Sequence, residues 1–207
     1  FGIYFTEYAK RIFLMKKHMA QLFMAGILLV SVFFLSREGA QLVNKEIRKK
    51  GVIVVDCGHG GMDPGVIGVN QLKEKDINLA ISKKLGKLLE EEGYEVVMTR
   101  KEDVGLYDSE SRNKKVQDMQ KRCQMIKETK PLLTVSIHQN SYPDEQVCGP
   151  QVFYYTDSVN GEKLAKCIQE ALNEELEVSR PRTEKANNTY YLLKRSEGVL
   201  TIVECGF

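Results

Sequence analysis

Several common functional signatures are missing from this chain, and each absence removes a class of function. Its five cysteines (Cys57, Cys123, Cys148, Cys167 and Cys205) form no Cys-x-x-Cys pair, which excludes a structural zinc knuckle and a thioredoxin-type site. An odd number of thiols cannot all be paired, and free thiols in an exported protein point to a weakly oxidising or anaerobic setting. The glycine cluster at 58–61 is followed by no Gly-Lys-Ser/Thr, and Asp63 stands where a dinucleotide fingerprint needs glycine, so nucleotide-binding α/β readings fail. There is no internal repeat and no low-complexity tract. A cationic body is also absent: residues 51–207 carry 21 Lys/Arg against 25 Asp/Glu, a poor surface for a phosphate backbone, so nucleic acid is not expected as a partner.

What is present divides at about residue 50. The 207 residues, 43% hydrophobic and 28% charged, suit one compact domain with an appendage and exclude a disordered chain, a collagen and a multi-span membrane protein. Residues 1–50 carry nine Lys/Arg against three Asp/Glu. Within them Lys16, Lys17 and His18 precede an apolar run over 19–35, the pattern of an export signal or short membrane anchor. Ser36, Arg37 and Glu38 follow in place of an Ala-x-Ala cleavage pattern, which favours an uncleaved anchor. Met15 is a natural start, with 1–14 as an upstream extension and 36–50 as a linker. The body, 51–207, is then expected outside the cytoplasm.

From residue 51 onward strands and helices alternate. Val52–Val55 reads as a buried strand, and Glu74 opens a helix to about Glu92 with Ile77, Ile81, Leu85 and Leu88 at helical spacing. Tyr94–Thr99 reads as a strand. Ser109–Lys130 contains a helix with Val116, Met119, Cys123 and Ile126 on one stripe, and Pro131 ends it. Leu132–Ile137 and Gln151–Tyr155 read as strands, 160–176 as a helix, and Tyr190–Leu193 and Leu200–Val203 as the last strands. The expected fold is a single α/β domain, a mainly parallel twisted sheet covered by helices on both faces.

Chemistry gathers at the strand ends. His59 follows the first strand, His138 follows Leu132–Ile137, and Glu204 follows Leu200–Val203. In open α/β sheets ligands bind beyond the carboxyl ends of the strands, so these three groups should converge. Two imidazoles and one carboxylate suit a catalytic zinc with a fourth position open for water. Glu74, fifteen residues after His59, is the third candidate ligand, although by itself it also reads as a solvated helix N-terminus. The glycines at 58–61 let the backbone turn tightly around an ion.

Five segments in order, Val-Asp-Cys-Gly-His-Gly-Gly (55–61), Glu-Lys-Asp-Ile-Asn-Leu (74–79), Thr99-Arg100 with Asp103, Ser-Ile-His-Gln-Asn (136–140) and Val-Glu-Cys-Gly-Phe (203–207), resemble the zinc-dependent N-acetylmuramoyl-L-alanine amidases. Further stretches at 105–108, 113–118, 149–153 and 190–194 resemble that family's CwlD-like, spore-cortex branch. The resemblance implies zinc ligands at His59, Glu74 and His138, with Glu204 as the catalytic carboxylate. Its implied substrate is peptidoglycan, cut between the muramic lactyl group and L-alanine. It also implies an extracytoplasmic setting in a Gram-positive-type spore former, and leaves room for an accessory activating protein. Arg100 and Arg122 are candidates to hold substrate carboxylates, and Asn140 to position substrate. The chain departs from the family pattern at Cys57, a thiol two residues from a zinc ligand, and at Gln139 and Val199. The family also continues past the position of Phe207, so a C-terminally truncated domain is expected. A vegetative autolysin and a zinc peptidase acting on another stem bond are the alternative readings.

Overall fold

The computed structural model describes residues 15–19, 23–38, 50–144 and 146–207. The upstream extension at 1–14 and most of the linker, 39–49, lie outside the described residues. The chain divides into two units, Phe1–Arg48 and Lys49–Phe207. In the first, Met15–Glu38 forms helix α1, whose 24 residues are long and apolar enough to cross a membrane by length and composition.

The second unit is built on six strands: β1 (Val52–Cys57), β2 (Glu95–Met98), β3 (Leu133–His138), β4 (Gln151–Tyr155), β5 (Lys185–Asn187) and β6 (Leu200–Glu204). They lie in the order β2-β1-β3-β6-β4-β5. The first four run parallel, while β4 is antiparallel to β6 and carries β5 parallel on its outer side.

Alternation along the strands splits the core into two layers. On one face Ile53, Val55, Val135, Ile137 and Val203 pack under α2 (Glu74–Glu91) and α4 (Val159–Glu175) through Ile81, Leu85, Leu89, Ala165 and Ile168. On the other, Val54, Phe153, Leu200 and Ile202 pack under α3 (Lys114–Thr129) and α5 (Tyr191–Arg195) through Met119, Ile126, Leu192 and Leu193. Helices therefore cover both faces, as the sequence pattern implies. Asn113 and Ser158 cap α3 and α4 by accepting the backbone N–H of Val116 and Gly161.

Three local expectations need correction, and one strand had none. Tyr190–Leu193 is not a strand: Tyr191–Arg195 is one turn and a half of helix that drops Leu192 and Leu193 into the second layer. The short β5 is an edge strand without apolar alternation, visible only through its pairing with β4. On α2 the inward stripe passes through Leu89, leaving Leu88 exposed. On α3 Val116 is exposed, and Arg122 takes an inward place beside Ile126.

Candidate active site

The polar strand ends belong to the face covered by α3 and α5. Asp56, Ser136, His138 and Glu204 alternate with residues of the α2/α4 layer, so they project toward α3 and α5 at the carboxyl end of the sheet. Cys57, one residue on from Asp56, points the other way and is fully buried, with Ser82 of α2 as a neighbour. It stands outside the group of metal-capable side chains, and burial raises its thiol pKa.

His59 is carried by the loop after β1 in a left-handed conformation, φ 59°. The same loop closes against the start of α2, where Glu74 N–H donates to Val66 O and Lys75 N–H to Pro64 O. These contacts satisfy helix donors that lack an N-cap side chain, and they turn Glu74 inward instead of into solvent. Two glycines make the approach feasible. A Cβ at Gly65 would meet Glu74 Oε2 at 2.4 Å, and one at Gly58 would meet the His138 ring at 2.5 Å.

The result is a His–Glu–His cluster. One ligand atom from each of His59, Glu74 and His138 lies within 4.8 Å of the others. Glu74 Oε1 is 2.9 Å from His138 Nδ1 and Oε2 is 3.2 Å from His59 Nε2, with the two rings edge to face at 4.9 Å. The carboxylate also accepts from the backbone N–H of Val66 and Gln139 and from Asn78 Nδ2. Burial by itself would raise the Glu74 pKa, but the hydrogen bonds from His138, His59 and the two backbone amides outweigh it and hold the group far below the usual carboxylate range. Glu74 is thus an anion at 4% exposure, which excludes the solvated helix-terminus reading. His59 Nδ1 lies 2.9 Å from Asp63 Oδ2, and its pKa is raised, because bonds to Glu74 and Asp63 overcome the cost of burial. A carboxylate behind an imidazole fixes the tautomer and leaves the far nitrogen free to bind a metal. This donor set of two imidazole nitrogens and a carboxylate oxygen fits zinc.

Glu204 completes the arrangement from the neighbouring strand. It pairs in register with His138 across β3 and β6 and lines a cavity of about 490 Å³ together with His59, Glu74 and His138. Its Oε2 is buried and has no hydrogen-bond partner among the described residues. Burial raises the Glu204 pKa, Glu74 adds to the rise, and His138 and His59 oppose it. An unpaired, desolvated carboxylate beside two imidazoles is the environment of a general base.

The two arginines are turned onto groups of the protein itself. Arg100, at 3% exposure, donates to the carbonyls of Cys57, Gly58, Lys75 and Glu102. Arg122, at 1%, binds Asp56 and Asp118 and the carbonyls of Cys57 and His59. Each reaches the histidine loop through one carbonyl, Gly58 O for Arg100 and His59 O for Arg122, and ties it to the surrounding elements. The signal for Arg122 was its place between Met119 and Ile126 on an otherwise inward stripe. Asn140 lies on the cavity wall, and its Oδ1 caps the N–H of Ser141. Asp63 was missed as a site residue; four places after His59 in a glycine-rich turn, it was within local reach.

Residues 53–207 match the family model of the N-acetylmuramoyl-L-alanine amidases. The chain belongs to that family. It is 34% identical over 159 residues to the germination-specific N-acetylmuramoyl-L-alanine amidase of Bacillus subtilis, covering 75% of this chain and 66% of the relative. With the amidase AmiA of Escherichia coli it shares 31% over 148 residues, 70% of this chain and 46% of the relative. The chain therefore spans just under two thirds of one relative and about half of the other. Among solved structures, the CwlD amidase of Clostridioides difficile, in complex with the GerS lipoprotein, superposes with a TM-score of 0.73 at 37% identity, over 76% of this chain and 83% of that one. Within the amidase family, the likenesses to the germination-specific amidase and to CwlD are consistent with the CwlD-like branch.

Proposed function

We propose that this amidase domain is a zinc-dependent hydrolase of the amide between the muramic lactyl group and L-alanine in peptidoglycan, acting in spore-cortex maturation. The observation that carries the reading is Glu204, an unpartnered buried carboxylate held in register beside His138 over the His–Glu–His cluster. Zinc bound by His59, Glu74 and His138 would lower the pKa of a bound water toward about 7 and would polarise the lactyl carbonyl.

The protein groups do the rest. Asp63 keeps the proton of His59 on Nδ1, so that Nε2 faces Glu74 and the metal position. Arg122 and Arg100 hold the carbonyls on either side of His59 and keep its ring in place. Glu204 accepts a proton from the attacking water and returns it to the alanine nitrogen, since an amine leaves far more readily than its anion.

The location and partner follow from the same likenesses. Helix α1 serves as a signal or membrane anchor that carries 51–207 out of the cytoplasm. The related CwlD amidase is in complex with the GerS lipoprotein, which supports an accessory lipoprotein as partner here. The test is digestion of purified cortex and vegetative wall, with new amino termini identified by mass spectrometry. N-terminal L-alanine released in step with bare lactyl groups, and abolished by a chelator, is the expected result. New termini at another stem residue would make the protein a peptidase instead.

A further inference from the structure

The cavity wall carries one cation that the mechanism leaves unused. Two basic side chains line the cavity besides its histidines: Arg122 and Lys115. Arg122 is consumed by Asp56, Asp118 and backbone carbonyls. Lys115 is different. Its side chain is 75% exposed, and its nearest acidic partner, Asp63 Oδ2, lies 3.6 Å away, beyond hydrogen-bond distance. Asp63 is itself occupied by His59 Nδ1 and the Gly65 N–H. Lys115 therefore stands on the cavity wall with donors to spare, and a single carboxylate oxygen separates its ammonium from the ring of a metal ligand.

We infer that Lys115 forms a carboxylate-binding subsite that recognises the acidic residue following L-alanine in the stem peptide. The inference rests on the amidase reading of the site. Reach supports it: two residues of extended chain span about 7 Å, and Lys115 Nζ lies 3.6 Å from the Asp63 oxygen that is itself 2.9 Å from His59 Nδ1. Charge supports it too. Asp56, Asp63, Glu74 and Asp118 each have a basic partner other than Lys115 at 3.2 Å or less, so the exposed 3.6 Å ion pair of Lys115 with Asp63 is the one an incoming carboxylate can share. A lysine on a flexible stem suits this task, since it acts as a point charge and tolerates movement of the carboxylate, unlike a planar guanidinium.

The experiment compares two muropeptides that differ only at the residue after L-alanine, one with its free α-carboxylate and one with a carboxamide there. For the wild-type protein kcat/KM should favour the acid about fivefold at low ionic strength, the size expected of an exposed ion pair, and the preference should fade at high salt. In Lys115→Gln the ratio should fall to about one, in Lys115→Glu it should invert, and Lys115→Arg should keep it. Binding of both muropeptides to the zinc-loaded Glu204→Gln protein provides the same ratio without turnover. Equal affinity of the parent protein for acid and amide, or a preference that survives Lys115→Gln, overturns the subsite. Failure of the wild-type protein to cut either muropeptide while the binding preference follows Lys115 overturns the amidase reading and leaves the subsite standing.

Discussion

His138 and Glu204 are paired residues of adjacent parallel strands, on the same face of the sheet. One ring and one carboxylate are thereby held side by side by backbone hydrogen bonds and not by a mobile loop. This rigidity bears directly on what each substitution should do.

Glu204→Gln should retain zinc near one equivalent per chain while amide hydrolysis falls by about 10²-fold or more. Gln is nearly isosteric, so the cavity survives and the proton acceptor is lost. Metal analysis alongside a turnover assay decides it; equal loss of zinc and activity would make Glu204 a ligand instead.

Zinc affinity should weaken in Glu74→Gln, His59→Ala and His138→Ala before any change in fold is seen. A neutral amide is a poorer ligand than the carboxylate it replaces, and each histidine removes one of three donors. Competition with a chromogenic chelator measures the loss directly. Full stoichiometry after dialysis in both histidine variants would reject the site.

Arg122→Met should destabilise the metal-free protein by about 3–5 kcal/mol at pH 7, the usual cost of stranding a buried charge, here Asp56 at 1% exposure. In the wild-type protein burial opposes ionisation of Asp56, but Arg122 and the Ser136 hydroxyl outweigh it and depress its pKa below 3.8. That stabilisation is present above the unfolded value and is lost as pH falls through the depressed one. Without Arg122, burial is left to raise the Asp56 pKa, so the deficit of the variant should shrink as the pH is lowered toward 4. Urea unfolding in chelator at pH 7 and pH 4 tests the sign.

Thiol labelling of the native protein should modify Cys148 and Cys167 first, since both are exposed. Cys205, with its pKa pushed up by burial to about 11, and Cys123, also raised, should lag behind. Cys57 should react only on unfolding. Rapid modification of Cys57, followed by mass spectrometry of the peptide, would contradict its place under α2.

Much of the fold was legible because local pattern and tertiary role coincide. The β-branched run at Val52–Val55 and the spacing of Leu164, Ala165, Ile168 and Leu172 carry their own periodicity, and these elements form where the pattern puts them. Tyr190–Leu193 misled because four aromatic and aliphatic residues are too few to distinguish a period of 2 from one of 3.6. Its helical form depends on the apolar floor of Ile202 and Phe153, with Tyr190 packed edge-on against Phe153 at 5.3 Å. Lys185–Asn187 has no pattern at all and becomes a strand through the open edge of β4.

The sequence alone determined which groups would stand at or just past the ends of β1, β3 and β6, since His59, His138 and Glu204 each come at the close of a largely apolar, β-branched stretch. It also supplied, through the ordered motifs, the family and the identity of Glu74 as a candidate ligand. Tertiary structure decided what a linear pattern cannot express: the burial and neighbours of charged side chains. Only the folded sheet shows Arg100 and Arg122 turned inward to hold the histidine loop, Asp63 behind His59, and Lys115 on the cavity wall. The physical reason is that a charge's role depends on which partners compensate its desolvation, and here those partners come from segments as far apart as 80 residues, as for Asp56 and Ser136.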